Sequence, residues 1–349
     1  MDKRYFSDKI VKWYENNQRK LPWRATKDPY KIWLSEIILQ QTRVIQGLPY
    51  YERFISCFPN VQALAAASEQ EILRLWQGLG YYSRARNLHK CAKAVVNDHG
   101  EKFPATFNEL LTLPGIGDYT AAAIASFSFK QKVAVVDGNV FRVLSRVYGI
   151  DDAINSPEGK KKFTALANEL ISAEHPDVHN QAIMEFGATH CTPKNPACSS
   201  CVLQKGCFAF ARGMQGQLPV KLKAKKSRKR YFYYFVYEKH NTLWMNKREQ
   251  KDIWLGLFDF HLIEKNKPVK VDKILVEIGI RTALESVKVS KQYKHILSHQ
   301  TIFSKFIIVK GPKKGMRKNG NQSFFTFSQI AELPKPVLVS RFLNDHYLL

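Results

Sequence analysis

Leu113-Pro114-Gly115-Ile116-Gly117-Asp118 lies between two stretches of helical character, Phe107 to Thr112 and Tyr119 to Ser126. Proline and two glycines within five residues end the first helix and let the backbone turn tightly and approach another chain closely. The N–H groups that open the second helix then point outward, ready for an anion. This is the spelling of a helix-hairpin-helix motif, whose contacts position a phosphate backbone without reading its sequence. An ordinary helix–helix turn reads the same way and, taken alone, explains the stretch better. The rest of the chain shifts the balance.

The chain has 349 residues, with 54 Lys and Arg against 30 Asp and Glu, a formal net charge of +24. Such a charge calls for a polyanionic partner, with nucleic acid favoured over an anionic membrane surface. No amphipathic anchor supports the membrane. Met1-Asp2-Lys3-Arg4 leads into no long apolar run, so neither a signal peptide nor a membrane span is expected, and a cytoplasmic protein is. The length suggests about two domains. From residue 7 to about 210 the apolar spacing is mostly helical, broken at Pro59-Asn60, Gly100, Pro114-Gly115 and Ser156-Pro157. Gly213, Gly216 and Pro219 then precede a run of seven Lys and Arg between Lys221 and Arg230, suited to a solvated linker. Beyond it Tyr231 to Tyr237, Thr242 to Asn246 and Ile302 to Val309 read as strands, and Ile274 to Leu284 as a helix. The expectation is an all-α domain over 1–212, a basic linker over 213–230 and a smaller α+β domain over 231–349.

Four of six cysteines, Cys191, Cys198, Cys201 and Cys207, follow the spacing C-x6-C-x2-C-x5-C. Disulfide frameworks belong to small secreted domains, so the run is read as a ligand set. Zinc usually takes thiolates as two close pairs, and only Cys198 and Cys201 form one here. A cubane 4Fe-4S cluster needs one thiolate per iron and tolerates uneven loops, which ranks it above zinc. Cys57 and Cys91 stand apart and are expected to fill core.

Two carboxylates attract attention. Trp33 to Thr42 reads as helix, with Leu34, Ile37, Ile38 and Ile45 on its buried side and Glu36 and Gln40 sharing another face. A helical Glu is most often just solvated. Asp137 ends the apolar run Val133 to Val136 and precedes Gly138-Asn139 and the helical Val140 to Val147, an N-cap position that is compatible with catalysis.

Together the stretch Leu34 to Thr42, the hairpin Leu113 to Ala121, Asp137-Gly138-Asn139-Val140 and the cysteine spacing resemble the helix-hairpin-helix DNA glycosylases that carry an iron–sulfur cluster, and most of all the MutY adenine DNA glycosylases. The resemblance runs from about residue 8 to 212 and more loosely beyond. It implies removal of adenine mispaired with 8-oxoguanine or guanine in double-stranded DNA, by hydrolysis of the N-glycosidic bond in base excision repair. Glu36 would protonate adenine at N7, and Asp137 would stabilise the cationic sugar, by charge alone or through a transient covalent bond. Tyr119 and Asn139 would assist them by hydrogen bonding. Bifunctional relatives carry a lysine where this chain has Tyr119, and a phenol forms no Schiff base, so a monofunctional enzyme is expected. Gly115 and Gly117 would meet the backbone of the duplex. Gln41 and Tyr82, the latter in Gly78 to Arg86, match wedges that fill the gap left by a flipped base. Trp23, Arg24 and Gln181 match residues of the adenine pocket, and a glutamine amide suits the N6 and N7 edge of adenine.

The resemblance also gives the C-terminal domain a Nudix-like fold that reads 8-oxoguanine, with Leu297-Ser298-His299 where the family commonly has Phe-Ser-His. His295 and His299 lack acidic or thiolate partners for a metal, and the glutamates of true Nudix hydrolases are missing. A monomer is expected because one chain carries every residue of the expected DNA site. Two rivals stand: a bifunctional lyase for oxidised pyrimidines, and a non-catalytic iron–sulfur DNA-binding protein.

Overall fold

The computed structural model describes residues 1–223, 227–280, 287–311 and 321–349. Lys225 and Lys226 of the basic run, and 281–284 of the helix expected over Ile274 to Leu284, fall outside them. Packing divides the chain into two compact units, Met1–Ala66 with Asn87–Lys223, and Ala67–Arg86 with Ala224–Leu349.

The first unit is helical. Its helices are α1 (Lys3–Asn17), α2 (Pro29–Leu39), α3 (Val44–Cys57) and α4 (Val61–Ala66); after α5 (Glu69–Leu75), which belongs to the other unit, α6 (Ser83–Asp98) leads back into it. Then follow α7 (Phe107–Leu110), α8 (Asp118–Phe129), α9 (Gly138–Tyr148), α10 (Pro157–Leu170), α11 (Pro176–Thr189) and α12 (Phe208–Ala211). A helix that is apolar all round must be central. α2 and α8 are of this kind: Ile32 to Ile38 and Thr120 to Phe127 are buried without interruption. Around them Phe6 and Ile10 of α1, Val143 and Leu144 of α9, Phe163 of α10 and Phe186 of α11 share a second core. Among the described residues no helix is long and apolar enough to cross a membrane.

The hairpin forms as its spelling suggests, with a shorter first arm. α7 is one turn closed by a capping box between Thr106 and Glu109. Gly115 has φ +77°, and a Cβ there would lie 2.6 Å from Asn87 Cβ, so both conformation and space demand glycine. Gly117, the N-cap of α8, faces open space and supplies no side-chain cap, which leaves the first N–H groups of α8 without an intrahelical or side-chain partner at that end.

Two expectations about α2 fail for one reason. The helix stops at Leu39, Gln41 adopts φ +54°, and a new helix starts at Val44. Ile45 is therefore out of phase with Leu34, Ile37 and Ile38, and is 85% exposed rather than buried. Cys57, at the end of α3, is likewise exposed, whereas Cys91 is buried in α6 as expected.

The second unit is built on one sheet of β1 (Arg228–Lys239), β2 (Thr242–Lys247), β3 (Phe258–Asp259), β4 (His261–Lys265), β5 (Val287–Val289), β6 (Tyr293–Ile296), β7 (Gln300–Lys310) and β8 (Gln322–Thr326). β1 and β7 run parallel at its centre, in register from Arg228 opposite Gln300 to Glu238 opposite Lys310, and the other pairings are antiparallel. The three expected strands fall within β1, β2 and β7. The expected helix starts earlier, as α13 (Val271–Glu277). α14 (Phe327–Glu332) and α15 (Val337–Tyr347) follow the last strand, and Phe306 stacks on Phe342 of α15 with ring centroids 4.0 Å apart. Arg230 donates to both Asp252 and Glu264 and is buried between them. Ala67–Arg86 joins this unit: Gln77 Oε1 accepts from Lys335 N at 3.0 Å, and the hydroxyl of Tyr82 donates to Lys335 O.

Replacing Gly115 with Ala forces a left-handed alanine against Asn87. The variant should unfold with a stability lower by roughly 2 kcal/mol, read by urea denaturation followed by circular dichroism.

Candidate active site

α2 carries Glu36 into the middle of the helical unit, where the residue is 6% exposed. The hydroxyl of Tyr119, in the first turn of α8, donates to Glu36 Oε2 at 2.5 Å. Burial raises the Glu36 carboxyl to about 7, the nearby charge of Asp137 adds to the rise, and the Tyr119 hydrogen bond opposes it. The charged form is thus disfavoured by ~3 kcal/mol, which keeps a proton on the group close to neutral pH.

Asp137 is the N-cap of α9. Its Oδ1 accepts from Asn139 N at 2.9 Å and Val140 N at 2.8 Å, and its Oδ2 accepts from Asn139 Nδ2 at 2.7 Å. Burial pushes this carboxyl upward as well, but three donors and the Arg142 guanidinium hold against the rise. Both oxygens act as acceptors, the pattern of a carboxylate. Asn139 is fixed in turn: its Oδ1 accepts from Arg142 Nη2 at 2.8 Å, and a Cβ on Gly187 would lie 2.7 Å from Asn139 Cβ, so α11 approaches α9 closely only because residue 187 has no side chain. Arg142 also donates to the carbonyls of Gly187 at 2.6 Å and Cys191 at 2.7 Å. One guanidinium therefore ties the cap of α9 to the start of the cysteine loop.

Glu36, Tyr119, Asp137 and Asn139 line a cleft of ≈ 680 Å³ together with Trp23, Arg24 and Gln181. Trp23 is buried edge-on against Tyr51 at 5.1 Å. Gln181 Oε1 accepts from the Tyr14 hydroxyl at 2.8 Å, which fixes the amide and leaves its Nε2 available. Leu39, Phe127 and Met184 supply apolar wall. The cleft sets this apolar wall against charged and amide side chains, a combination that suits a planar heterocycle with polar edges.

Glu185 also lines the cleft and was not singled out from the sequence. It is 1% exposed and accepts from Arg19 Nε and Nη2 and from Arg24 Nη2, each at 2.7 Å. Burial would raise its carboxyl, but the two guanidinium partners pull it down to about 2. The available signal was its position four residues after Gln181 on one helix, which puts both on the same face.

The four cysteines Cys191, Cys198, Cys201 and Cys207 line one pocket with Arg146, Phe186 and His190, and none is in a disulfide. Arg146, 2% exposed, binds the loop through Thr192 O at 2.8 Å and Cys191 Sγ at 3.4 Å, and donates also to Leu218 O beyond it at 3.1 Å. The N–H of Leu203 donates to Cys201 Sγ at 3.4 Å. Among the described residues no three His, Cys, Asp or Glu are gathered tightly enough to hold a single metal ion.

The remaining candidates divide by unit. Gln41 lines a groove of the helical unit beside Gly117. In the second unit Leu297, Ser298 and His299 form the three-residue turn between β6 and β7, closed by Leu297 N donating to Gln300 O at 2.8 Å. Ser298 and His299 are exposed there. Ser298 is hydrogen-bonded to the hydroxyl of Tyr81 within the same unit. Tyr82, expected as a wedge, is 3% exposed and packed inside the unit, whereas its neighbour Tyr81 is 38% exposed with φ +47°. Of the adjacent pair, Tyr81 is the ring exposed in this structure.

The family model described as HhH-GPD superfamily base excision DNA repair protein matches residues 34–172. An adenine DNA glycosylase of Buchnera aphidicola subsp. Schizaphis graminum (strain Sg) is 38% identical over 304 residues, covering 87% of this chain and 85% of its own length. The chain belongs to the adenine DNA glycosylase family. A second member, from Buchnera aphidicola subsp. Baizongia pistaciae (strain Bp), is 35% identical over 338 residues, 95% of this chain and 94% of its own. The solved structure of a thermostable thymine-DNA glycosylase superposes with a TM-score of 0.56 at 30% identity, over 60% of this chain and 97% of that one. A non-covalent endonuclease III–DNA complex, 22% identical with a TM-score of 0.53, shares the fold. The protein is thus a DNA glycosylase of base excision repair, a helical glycosylase fold followed by a sheet-containing domain, as its motifs suggested.

Asn139→Ala removes both the Asn139 Nδ2 bond to Asp137 and the acceptor of Arg142. Single-turnover base release should fall by about tenfold to a hundredfold, while the mostly backbone-bonded α9 keeps its helical circular dichroism.

Proposed function

We propose that this chain excises adenine paired with 8-oxoguanine or guanine and leaves an intact abasic site. The observation that carries the reading is a carboxyl held near neutral titration, Glu36, in the same cleft as Asp137, whose two oxygens both act as acceptors. Adenine is a poor leaving group until protonated. Glu36 donates its proton to N7, the C1′–N9 bond breaks with its electron pair going to the base, and the sugar becomes an oxocarbenium ion. Asp137 faces that cation, and water then adds to C1′ as Glu36 takes back a proton. Two carboxyls with separate environments divide acid and anion between them, as in glycoside hydrolysis. Gln181 and Arg24 offer donors to the ring nitrogens of the base. Tyr119 serves as a hydrogen-bond donor to Glu36, and no lysine occupies its place to open the strand.

The second unit is read as a Nudix-like lesion reader, with Ser298 and His299 presented on a tight turn and Tyr81 as the ring that enters the duplex. The domain limits 1–212, 213–230 and 231–349 and a monomeric state belong to the same reading. Cys191, Cys198, Cys201 and Cys207 are read as holding a 4Fe-4S cluster. Four thiols lining one pocket, with only Cys198 and Cys201 as a close pair in sequence, suit a cluster with one iron per thiolate better than the two close pairs usual for tetrahedral zinc. When bound, the cluster would cross-link a loop that otherwise has only short turns.

Incubation with a labelled duplex holding one 8-oxoguanine:adenine pair, developed with and without alkali, tests the activity. Breakage at adenine only after alkali is expected; breakage without alkali would replace this reading with a lyase. Glu36→Gln should lower single-turnover excision by at least ~10². Because Glu36 works when protonated and Asp137 when ionised, excision by the native protein should fall as pH rises through about 7 and fall again in acid as Asp137 takes up a proton. Iron analysis should give about four irons per chain, with little zinc.

A further inference from the structure

We propose that Arg230 is a positioning residue for the turn Leu297-Ser298-His299 and, by seating that turn, sets the preference for 8-oxoguanine over guanine opposite the excised adenine. This rests on the reading above that the turn meets the oxidised base.

The two bases differ along one edge: 8-oxoguanine has a carbonyl at C8 and an N–H at N7, where guanine has a C–H and a bare acceptor. A turn that tells them apart has to hold its polar groups within the tolerance of a hydrogen bond. Ser298 and His299 are themselves exposed, so that stiffness comes from the stems on either side. The second stem starts at Gln300, which is 4% exposed. Its carbonyl closes the turn by accepting from Leu297 N at 2.8 Å, and the carbonyl of His299 accepts from Arg228 N at 3.1 Å.

The side chain of Gln300 meets Arg230. A guanidinium carries its N–H donors in a rigid planar fork. Nε and Nη2 of Arg230 donate to Glu264 at 2.7 and 2.6 Å, Nη1 and Nη2 donate to Asp252 at 3.0 and 2.7 Å, and Nη1 donates also to Gln300 Oε1 at 3.4 Å. Every N–H of the fork is thus used. Two carboxylates, each held bidentately, fix its plane, and the one remaining donor is aimed at the residue that ends the turn.

The first stem rests on the same support. Ile302 pairs with Arg230 on one side and with His295 of β6 on the other, so Arg230, His295, Gln300 and Phe232 share one face of the sheet. There the His295 ring packs on Trp254 with centroids 5.9 Å apart, Trp254 meets Phe232 edge-on at 6.0 Å, and the Arg230 guanidinium lies over Phe232 at 4.8 Å. Asp252 and Trp254 belong to the segment between β2 and β3. Both stems therefore end on one block, and Arg230 touches each part of it.

The test compares single-turnover excision of adenine by the full chain from duplexes with 8-oxoguanine or guanine opposite, beside hydrogen–deuterium exchange over residues 293–301. Among the described residues Gln300 Nε2 is buried without a hydrogen-bond partner, so Gln300→Leu breaks the contact with Arg230 at little cost to folding and leaves both ion pairs in place. It should lower the preference for the 8-oxoguanine duplex by roughly threefold to tenfold, with the rate on the guanine duplex unchanged, and speed exchange at the turn. Arg230→Lys, which keeps the charge and loses the fork, should lower the preference further. Ile307→Val, in the buried middle of β7, should lower the urea midpoint and leave the preference as it was. An unchanged preference in Gln300→Leu, with or without faster exchange, would overturn the inference, and so would an equal loss in Ile307→Val. A native protein that excises adenine equally from both duplexes would instead overturn the reading of the turn, and exchange in Gln300→Leu would then decide the seat by itself.

Discussion

The dry position of Glu36 is the constraint on which the site depends. A carboxyl on the surface of a helix ionises well below neutral pH and has no proton to give. α2 escapes this because it is apolar on every side and packs in the centre of the unit, where Ile32, Trp33, Leu34, Ile37 and Ile38 exclude water around the acid. Tyr119 then satisfies one oxygen without a full countercharge. An arginine in that place would have held the carboxylate ionised, as Arg19 and Arg24 do for Glu185 in the same cleft. Two glutamates a few side chains apart are thus driven in opposite directions by their partners.

The neighbouring helices serve this arrangement. α8 presents Tyr119 from its first turn, directly after the hairpin whose Gly117 opens the helix without a side-chain cap. α9 begins at Asp137, whose capping bonds hold the second carboxyl while they start the helix. Arg142, one turn further on, fastens Asn139 and reaches the carbonyl of the first cysteine. Asp137 and the start of the cysteine loop therefore rest on two successive turns of one helix.

Much of this was legible because the signals are local. Glycines at 115 and 117 and an aspartate before a helix each act within a few residues and formed the structure they spelled, and the four spaced cysteines line one pocket. What failed depended on chain breaks or on long-range packing. Ile45 was placed on the buried side by extending the period of α2 past Leu39, but Gln41 in a left-handed conformation ends that period. Tyr81 and Tyr82 are adjacent and chemically alike; only the packing of Ala67–Arg86 with residues near Lys335 shows which ring is enclosed. Glu185 looked like one more helical glutamate until Arg19 and Arg24, some 160 residues earlier in the chain, closed on it.

That closure has an evolutionary side. Glu185 is buried against two guanidiniums, so losing the carboxylate leaves both without their anion at the cleft, and losing an arginine leaves a buried negative charge underpaired. The three positions are therefore expected to change together or not at all. A descendant that accepts a different base would reach it more easily by altering Gln181, Leu39 or Met184 around the ionic triad than by passing through an intermediate that breaks it.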